Sequence, residues 1–323
     1  MTTRLAPYLA FAASVFLAAC ASTTDLECQV GADCESGVCN ANGTCAPVST
    51  TSTEGGSAGS TTGGTGGTGA GSGTGAGGGS GGTGATGGSA VCSPNNDGTV
   101  EASEVPLGAG FSAKFKIGNN AAFDTTGSKE PNGTRIWDFT VMLAGDHTVL
   151  AETLPIDGTW YAADFAGATY ATRLSDSADL LGVFEVSSSA LLLRGVVSPE
   201  DGFTATNLKY DPPVVVLQFP MKVGDTWETT SQVSGQAAGV FSIYSETYTS
   251  EVDVAGKALT PFAEFPVLRV GTDLTRVVGA LVTTTRSYAF VTECFGSVAT
   301  AVSQTNELGV EFTNAAEVRR LSP

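Results

Sequence analysis

From residue 91 onwards, the chain alternates apolar and polar residues with the period of two that is typical of β-strands. In residues 111–117, Phe, Ala, Phe and Ile alternate with Ser and Lys, and in residues 227–233, Trp, Thr, Ser and Val alternate with Glu, Thr and Gln. Gly, Asp-Gly and Pro interrupt the runs at intervals typical of antiparallel meanders. We therefore predict an all-β domain over residues 91–323, either an antiparallel β-sandwich or a partly open β-barrel.

Further runs of this region, some apolar and some rich in Thr, Tyr and Ser, predict additional strands. They cover residues 136–143, ahead of a turn at Ala144-Gly145-Asp146, and residues 196–197, 214–217, 240–254 and 276–295. The best candidate for a helix is short and covers residues 175–181. The region is therefore expected to be almost entirely β.

The N-terminal part of the chain has the pattern of an export signal. Arg4 is followed by an uncharged and mostly apolar stretch over residues 5–19. About 15 residues are too few for a transmembrane helix, which needs roughly 20, but they suit the core of a signal peptide. We predict a signal peptide over residues 1–19 and no membrane-spanning segment after it.

Leu17-Ala18-Ala19-Cys20 closes this stretch and resembles the lipobox of bacterial lipoproteins. The resemblance implies that the signal peptide is removed and that covalent acyl chains on Cys20 anchor the protein to a membrane. Because residue 21 is Ala and not Asp, it also implies a place in the cell envelope at the outer membrane, facing the periplasm or the cell surface. The alternative is an ordinary signal peptide that is cut near Ala19 or Ala21.

Residues 20–48 combine the proposed anchor with a small cysteine-rich module, whose cysteines are Cys28, Cys34, Cys39 and Cys45. So short a segment cannot bury a core, and in an exported protein we expect disulfides to order it. Four cysteines allow three connectivities, and zinc binding is the alternative. The run from Asp33 to Cys39 resembles the D-C-x-S-G-x-C module of myxobacterial-type surface lipoproteins.

Residues 49–90 consist almost entirely of Gly, Ser, Thr and Ala. Such a composition cannot bury enough apolar surface to offset the entropy of ordering, and we predict a flexible linker. As a coil it would span about 35 Å on average, and fully stretched about 140 Å. The linker is expected to hold the following domain clear of the membrane.

The chain carries a formal net charge of −17 at pH 7. Such a surface repels nucleic acid and attracts divalent cations, so we expect no nucleic-acid partner. Cys92 and Cys294 lie in the β region, and in an oxidising compartment they are expected to form a disulfide rather than remain free thiols. Closing a loop of about 200 residues would stabilise the fold by up to about 5 kcal/mol.

Residues 93–104, directly after Cys92, resemble the twelve-residue Ca²⁺ loop of EF-hand proteins. The resemblance assigns metal ligation to Ser93, Asn95, Asp97, Thr99 (through its backbone carbonyl), Glu101 and Glu104. Ca²⁺ prefers hard oxygen ligands of this kind. Ser stands where the family has its first Asp, and prolines interrupt both flanks, so the resemblance implies a lone, weak site that stiffens the junction with the linker. The alternative is a plain Asn-Asp-Gly turn.

Groups that are suited to catalysis are few. His147 is the single histidine of the chain and lies beside a turn, and no serine has the G-x-S-x-G surroundings of a nucleophile. The acidic pairs at 176/179 and 200/201 are more typical of solvated turns than of glycosidase carboxylates. Trp160-Tyr161, with Phe165 and Tyr170, favours core packing over a surface strip for glycan or peptide. We expect no enzymatic activity.

Two functional hypotheses follow. The first is a membrane-anchored lipoprotein that displays a non-catalytic β-rich binding or structural domain on a flexible stalk, with a protein, glycan or lipid ligand and calcium as a stabiliser. The alternative is lipid or lipoprotein handling. Residues 219–227 and 260–270 resemble envelope proteins with an incomplete β-barrel, some of which hold acyl chains on the concave face.

Overall fold

The computed structural model describes residues 92–323, which share one sheet of 14 strands. The strands are β1 (Ser112–Ala122), β2 (Ser128–Lys129), β3 (Arg135–Asp138), β4 (His147–Glu152), β5 (Tyr170–Arg173), β6 (Leu181–Val186), β7 (Ala190–Val197), β8 (Asn207–Gln218), β9 (Thr226–Ala237), β10 (Val240–Leu259), β11 (Glu264–Val278), β12 (Leu281–Thr292), β13 (Gly296–Ser303) and β14 (Asn314–Leu321). Short 3-10 helices lie at Ala102–Glu104 and Ala162–Asp164. The predicted signal peptide, the lipobox with Cys20, the cysteine-rich module and the linker lie outside the described residues.

The sheet is an antiparallel meander that almost closes on itself. Strands β5 to β14 pair in sequence order, and β1 and then β4 continue the sheet beyond β14. β3 pairs in parallel with the end of β10 and carries β2. The two outer strands of the path approach each other where Leu154, just after β4, exchanges backbone hydrogen bonds of 2.7 and 2.9 Å with Ala171 of β5. The prediction of an all-β antiparallel domain is confirmed, and of its two alternatives, the sandwich and the partly open barrel, the sheet corresponds to the barrel.

The alternation of the sequence sets the faces of the strands. In β9, the side chains of Trp227, Thr229, Ser231 and Val233 are buried, while the residues between them are exposed. A strand turns successive side chains to opposite faces, so the polar members are carried inward with the apolar ones. Within residues 92–323, no helix has the length and apolarity that a transmembrane span requires.

Three apolar clusters fill the structure. The first lies against β5 to β12 and includes Val233, Val252 and Met221. The second lies where residues 123–143 cover the sheet around β12 to β14, and it centres on Trp137. The third packs residues 156–171 against β6 and β7. Full burial of an aliphatic or aromatic side chain stabilises a fold by about 1.5–3 kcal/mol, so these clusters hold the curved sheet in shape.

Two buried arginines connect residues 123–143, which cover part of the sheet, to its strands. The guanidinium of Arg269 lies 5.3 Å from the ring centre of Trp137 and 4.3 Å from that of Tyr288. It also forms ion pairs with Asp253 and Glu311. Arg320 donates to the backbone carbonyl of Phe139 at 3.0 Å and pairs with Asp146. Buried arginines of this kind are tolerated because their donors are largely paired.

Three local predictions were wrong. The strand predicted over residues 136–143 ends at Asp138, because β10 ends at Leu259 and offers no further backbone partner. The run over residues 276–295 is two strands, β11 and β12, separated by a turn at 279–280. Residues 175–181 form no helix; their backbone is drawn into contacts between strands, where the N–H of Asp176 donates to a carboxylate of β14 at 3.0 Å.

Candidate binding surface

The meander places alternate turns at opposite ends of the sheet. The turns at residues 198–206, 238–239, 279–280 and 304–313 share one end, which we call the hairpin end. The turns at residues 219–225, 260–263 and 293–295 share the other end, which we call the entry end because Cys92 is attached there. The two ends differ in the segments that cover them and in the side chains that they expose.

The entry end is closed by residues 92–105, the entry segment. Cys92 forms a disulfide with Cys294 in the β12–β13 turn, with Cα atoms 5.5 Å apart, which confirms the predicted pair. The carboxylate of Glu293 accepts hydrogen bonds from the backbone N–H groups of Asn95 and Asn96, at 2.5 and 3.1 Å. The N–H of Cys294 donates to the carbonyl of Glu104 at 2.6 Å. The entry segment is thus held by both covalent and charge-assisted bonds.

The loop predicted to bind Ca²⁺ is part of this segment and holds its turn through its own polar groups. Asn95 Oδ1 accepts from the N–H of Asp97, and Asp97 Oδ1 accepts from the N–H of Thr99, both at 2.8 Å. Glu104 accepts from Asn95 Nδ2 at 2.8 Å and from the N–H of Glu101 at 2.9 Å. Gly98 takes a φ of +86°, which glycine adopts without strain.

The fit of these residues to Ca²⁺ is partial. The donor atoms are hard oxygens, and Ser93, Asp97 and Glu101 are exposed to solvent. Several oxygens are engaged by N–H groups of the loop, and among residues 92–323 no group of three or more His, Cys, Asp or Glu side chains is placed to hold a metal ion. Calcium binding therefore stays a prediction.

The hairpin end carries exposed apolar side chains on four adjacent turns. Its members are Phe203, Val240, Phe241, Ile243, Val277, Val278, Leu281, Val282, Leu308 and Val310. Phe203, Phe241 and Leu308 keep 91%, 74% and 97% of their surface exposed. Soluble domains seldom expose so many large apolar residues in one region unless that region binds something.

Contacts between the turns join these side chains into one region. Gln236 Nε2 donates to the carbonyl of Phe203 at 3.2 Å, which links the 198–206 turn to the tip of β9. The N–H of Asn306 donates to the carbonyl of Thr284 at 2.7 Å, which links the 304–313 turn to β12. β10 and β11 pair up to Ser245 and Val277. Each turn therefore lies beside another that carries an apolar side chain.

The charges of the hairpin end are unevenly distributed. Residues 231–245 and 277–285 contain no charged side chain. Glu200 and Asp201, in the same turn as Phe203, are exposed and form no ion pair with a basic side chain of residues 92–323. An apolar centre is thus bordered by carboxylates.

The basic residues near this end are already paired. Arg276 donates to Glu246 at 2.6 Å, and Lys209 lies 2.7 Å from a carboxylate oxygen of Asp164. Arg286 pairs with Asp273 at 2.5 Å. Their partners neutralise these cations, so the carboxylates of the 198–206 turn dominate the electrostatics of the apolar region.

A buried cluster of polar side chains lies between the strands next to the hairpin end. Glu246 of β10 is fully buried and accepts from Arg276 and from the hydroxyl of Tyr248 at 2.5 Å. Burial, and then the nearby carboxylate of Glu246, raise the pKa of Tyr210 far above its ordinary value, so its hydroxyl stays protonated. Such a network fixes β8, β10 and β11 relative to one another. The exposed tips therefore project from a rigid base.

One cleft lies on the outer face of the sheet beside Phe241. It has a volume of about 430 Å³ and is lined mainly by polar residues, including Asn207, Lys209 and Gln236. A smaller cleft of about 120 Å³ lies beside the entry segment. Neither combines the size and the apolar lining that an acyl chain requires.

Of the residues considered for catalysis, the structure brings together His147 and Asp176 and leaves Asp179 in a separate contact. His147 opens β4 and is exposed; its Nε2 lies 3.0 Å from Asp176 Oδ2 and its Nδ1 lies 3.1 Å from the carbonyl of Gly145. Both ring nitrogens are thus engaged, and these two contacts, the carbonyl first, raise the pKa of His147. Asp179 pairs with Arg173 in a different contact.

The aromatic group around Trp160 belongs to the core, as the sequence favoured. Tyr161, Phe165 and Tyr170 are buried. The indole of Trp160 is half-buried and its Nε1 donates to the carbonyl of Ser198 at 3.2 Å. Trp160, Tyr161 and Phe165 pack a turn-rich segment onto the outside of the sheet, and Tyr170 stacks on Phe184 in the first cluster, so the four do not form a binding strip.

Sequence reasoning missed the hairpin end. The available signal was the pair of uncharged apolar stretches at 238–243 and 277–282, each of which contains a Gly typical of a turn. Reading residues 276–295 as one strand hid the second turn. The convergence of these turns with residues 203 and 308 depends on strand order, which the local pattern does not specify.

No protein-family model matches the chain, and no curated protein matches it. A comparison with solved structures finds the crystal structure of a "putative lipoprotein" from Parabacteroides distasonis ATCC 8503. The match has 9% sequence identity and a TM-score of 0.32, and covers 69% of this chain and 97% of that one. Similarity at this level carries no argument about the function of the chain.

Proposed function

We propose that this chain is a lipid-anchored protein of the cell envelope whose β domain is non-catalytic and binds a partner through the hairpin end. The observation that carries the proposal is the position of the exposed apolar side chains. Ten of the 19 exposed large apolar side chains of residues 92–323 lie at the end of the sheet opposite Cys92, where the chain enters the domain, and three lie at the entry end. The binding surface would therefore lie at the end of the sheet remote from Cys92.

The free energy lost by leaving apolar side chains in water supports a binding role for the hairpin end. An apolar side chain left in water forgoes about 1.5–3 kcal/mol relative to burial. Phe241 and Ile243 are exposed at the tip of β10, a strand of 20 residues that is about 65 Å long at ~3.3 Å per residue. A partner that covers the tips would recover this free energy, and exposed patches of this kind mark interaction sites.

The anchor in this proposal is Cys20, which resembles a lipobox cysteine and follows an apolar export signal. The outer membrane, with Ala at position 21, is the expected location. Ca²⁺ bound by residues 93–104 would stiffen the entry segment, which the disulfide and Glu293 already hold. Binding at the hairpin end does not depend on the metal.

Lipid handling by an incomplete barrel is the second candidate, and the near-closed sheet favours it. We rank it lower because packed side chains fill the faces of the sheet and the cleft beside Phe241 is lined mainly by polar residues. Native mass spectrometry of the protein purified from its own host separates the two. A co-purifying lipid would support the second candidate, and a ligand-free protein would count against it.

Site-specific photo-crosslinking in intact cells tests the proposed binding end. A photoreactive residue at position 241 should give a discrete crosslinked product, whereas the same residue at the exposed position 223, in the entry end, should give none. The product should disappear when Ile243→Ser is added. Equal crosslinking from both positions, or none from 241, would overturn the proposal. Cys20→Ser tests the anchor, because the variant should leave the membrane fraction.

A further inference from the structure

We infer that the hairpin end takes a cationic amphipathic polypeptide, a partner with an apolar centre and Lys or Arg around it. This inference rests on the proposed function and specifies the chemistry of the partner. The relevant features are an uncharged apolar centre and unpaired carboxylates beside it.

The apolar centre requires a partner that is itself apolar where the two meet. Phe241 and Ile243 are exposed at the tip of β10, and residues 231–245 provide no charge that could pair with an ion. A charged group brought against these side chains would lose water without gaining a counter-ion. Affinity therefore has to come from apolar contact in the middle of the interface.

The border of the centre selects the charge of the partner. Glu200 and Asp201 lie three and two positions before Phe203, and Glu307 directly precedes Leu308. The cations nearby are held by Glu246, Asp164 and Asp273. Border carboxylates attract basic groups and repel acidic ones, and this effect appears mainly in specificity and in the association rate.

The same border argues against two other occupants. A second copy related by a two-fold axis would bring this patch against itself, so it would add further carboxylates to the interface and no unpaired basic group to balance them. A bilayer would have to accept Asp201 at the depth of Phe203, since both lie in one turn, and anionic headgroups would repel it. A basic-rimmed polypeptide meets neither obstacle.

The experiment uses the full chain carrying Cys20→Ser, so that no acyl group contributes, and two amphipathic helical peptides of about 18 residues. One peptide is built from Leu and Lys, and the other has Glu in place of every Lys. Binding is measured by titration at low and high salt. Binding to phosphatidylcholine vesicles tests whether the occupant is a bilayer. Sedimentation of the protein alone tests whether it is a second copy.

Four variants assign the binding to the hairpin end. Phe241→Ser with Ile243→Ser removes the apolar centre, and Val223→Ser at the entry end is its control. Glu200→Gln with Asp201→Asn removes the acidic border, and Glu152→Gln with Asp157→Asn, two exposed carboxylates elsewhere, is its control.

The Leu/Lys peptide should bind the parent chain, and the apolar double variant should weaken binding at least about tenfold. The acidic double variant should weaken it severalfold and reduce its salt dependence, while both controls bind like the parent. Equal binding of the two peptides, no binding, or equal binding by parent and hairpin variants would overturn the inference.

Binding to the vesicles instead would assign a bilayer, and a dimer lost in the apolar variant would assign a second copy. Crosslinking from position 241 that persists after such a failure would leave the proposed function standing.

Discussion

Glu293 accepts a hydrogen bond from the backbone N–H of Asn95 at 2.5 Å across 198 positions of sequence. The contact lies beside the disulfide of Cys92 and Cys294, so a carboxylate and a covalent bond hold the same short segment. The entry segment, at the start of the domain sequence, is therefore held by residues near its end. This attachment depends on the fold of the domain.

Glu293→Gln should destabilise the domain by about 1.5–3 kcal/mol, because the charge-assisted bonds to the N–H groups of Asn95 and Asn96 become neutral or are lost. Urea denaturation of the oxidised protein measures the free energy of unfolding. Glu251→Gln, an exposed carboxylate on β10, is the matched control and should have little effect. Identical losses in both variants would show that Glu293 is no more than a surface charge.

Replacing Cys92 and Cys294 together by Ser should lower the free energy of unfolding by up to about 5 kcal/mol, since the bridge closes a loop of about 200 residues. The loss should match that caused by reducing the parent protein with dithiothreitol. The double variant itself should not respond to the reductant. A parent protein whose unfolding midpoint is the same with and without reductant would contradict this prediction.

Arg269→Lys should destabilise the domain by about 2 kcal/mol or more. A lysine cannot reproduce the planar contacts with Trp137 and Tyr288 or the paired bonds to Asp253 and Glu311. Thermal unfolding followed by tryptophan fluorescence measures the change. Arg173→Lys provides the control, because that side chain forms an exposed pair with Asp179. Similar shifts in the two variants would exclude a special role for Arg269.

The pair of His147 and Asp176 should make stability depend weakly on pH. The carbonyl of Gly145 and then Asp176 raise the pKa of His147 above 6.5, so the folded state binds the proton more tightly than the unfolded state. The resulting stabilisation is complete below pH 6.5 and is lost as the pH rises through the folded pKa. Nuclear magnetic resonance titration of the imidazole gives that pKa directly. His147→Gln should flatten the pH profile, and a folded pKa at or below 6.5 would reverse the prediction.

Millimolar Ca²⁺ should raise the melting temperature if residues 93–104 bind the ion, because a ligand that binds only the folded state stabilises it. Glu104→Gln should abolish the shift, since Glu104 occupies the position that the EF-hand resemblance assigns to the strongest ligand. Glu228→Gln, an exposed carboxylate on β9, should keep it. An unchanged melting temperature in the parent protein would leave the loop as a turn held by its own hydrogen bonds.

The local pattern was sufficient where burial follows alternation. Trp227 and Val233 of β9 face inward as their spacing predicts, and the long run at 240–254 belongs to β10. The pattern failed where a segment packs without a strand partner. Phe139 and Leu143 are buried in a loop: the N–H of Phe139 makes a last bond to Leu259 of β10, but its carbonyl accepts from Arg320 instead of from a neighbouring strand.

By itself, the sequence determined an antiparallel β domain, because the period of two that predicts strands is a local property. It also determined the pairing of Cys92 with Cys294, because they are the two cysteines of the β region. Only the tertiary structure decided which turns share an end of the sheet. Phe203, Phe241 and Leu308 are far apart in sequence, and the order of the strands brings their turns to the same end. Strand order is set by the combined packing of all three clusters, so no single stretch of sequence encodes it.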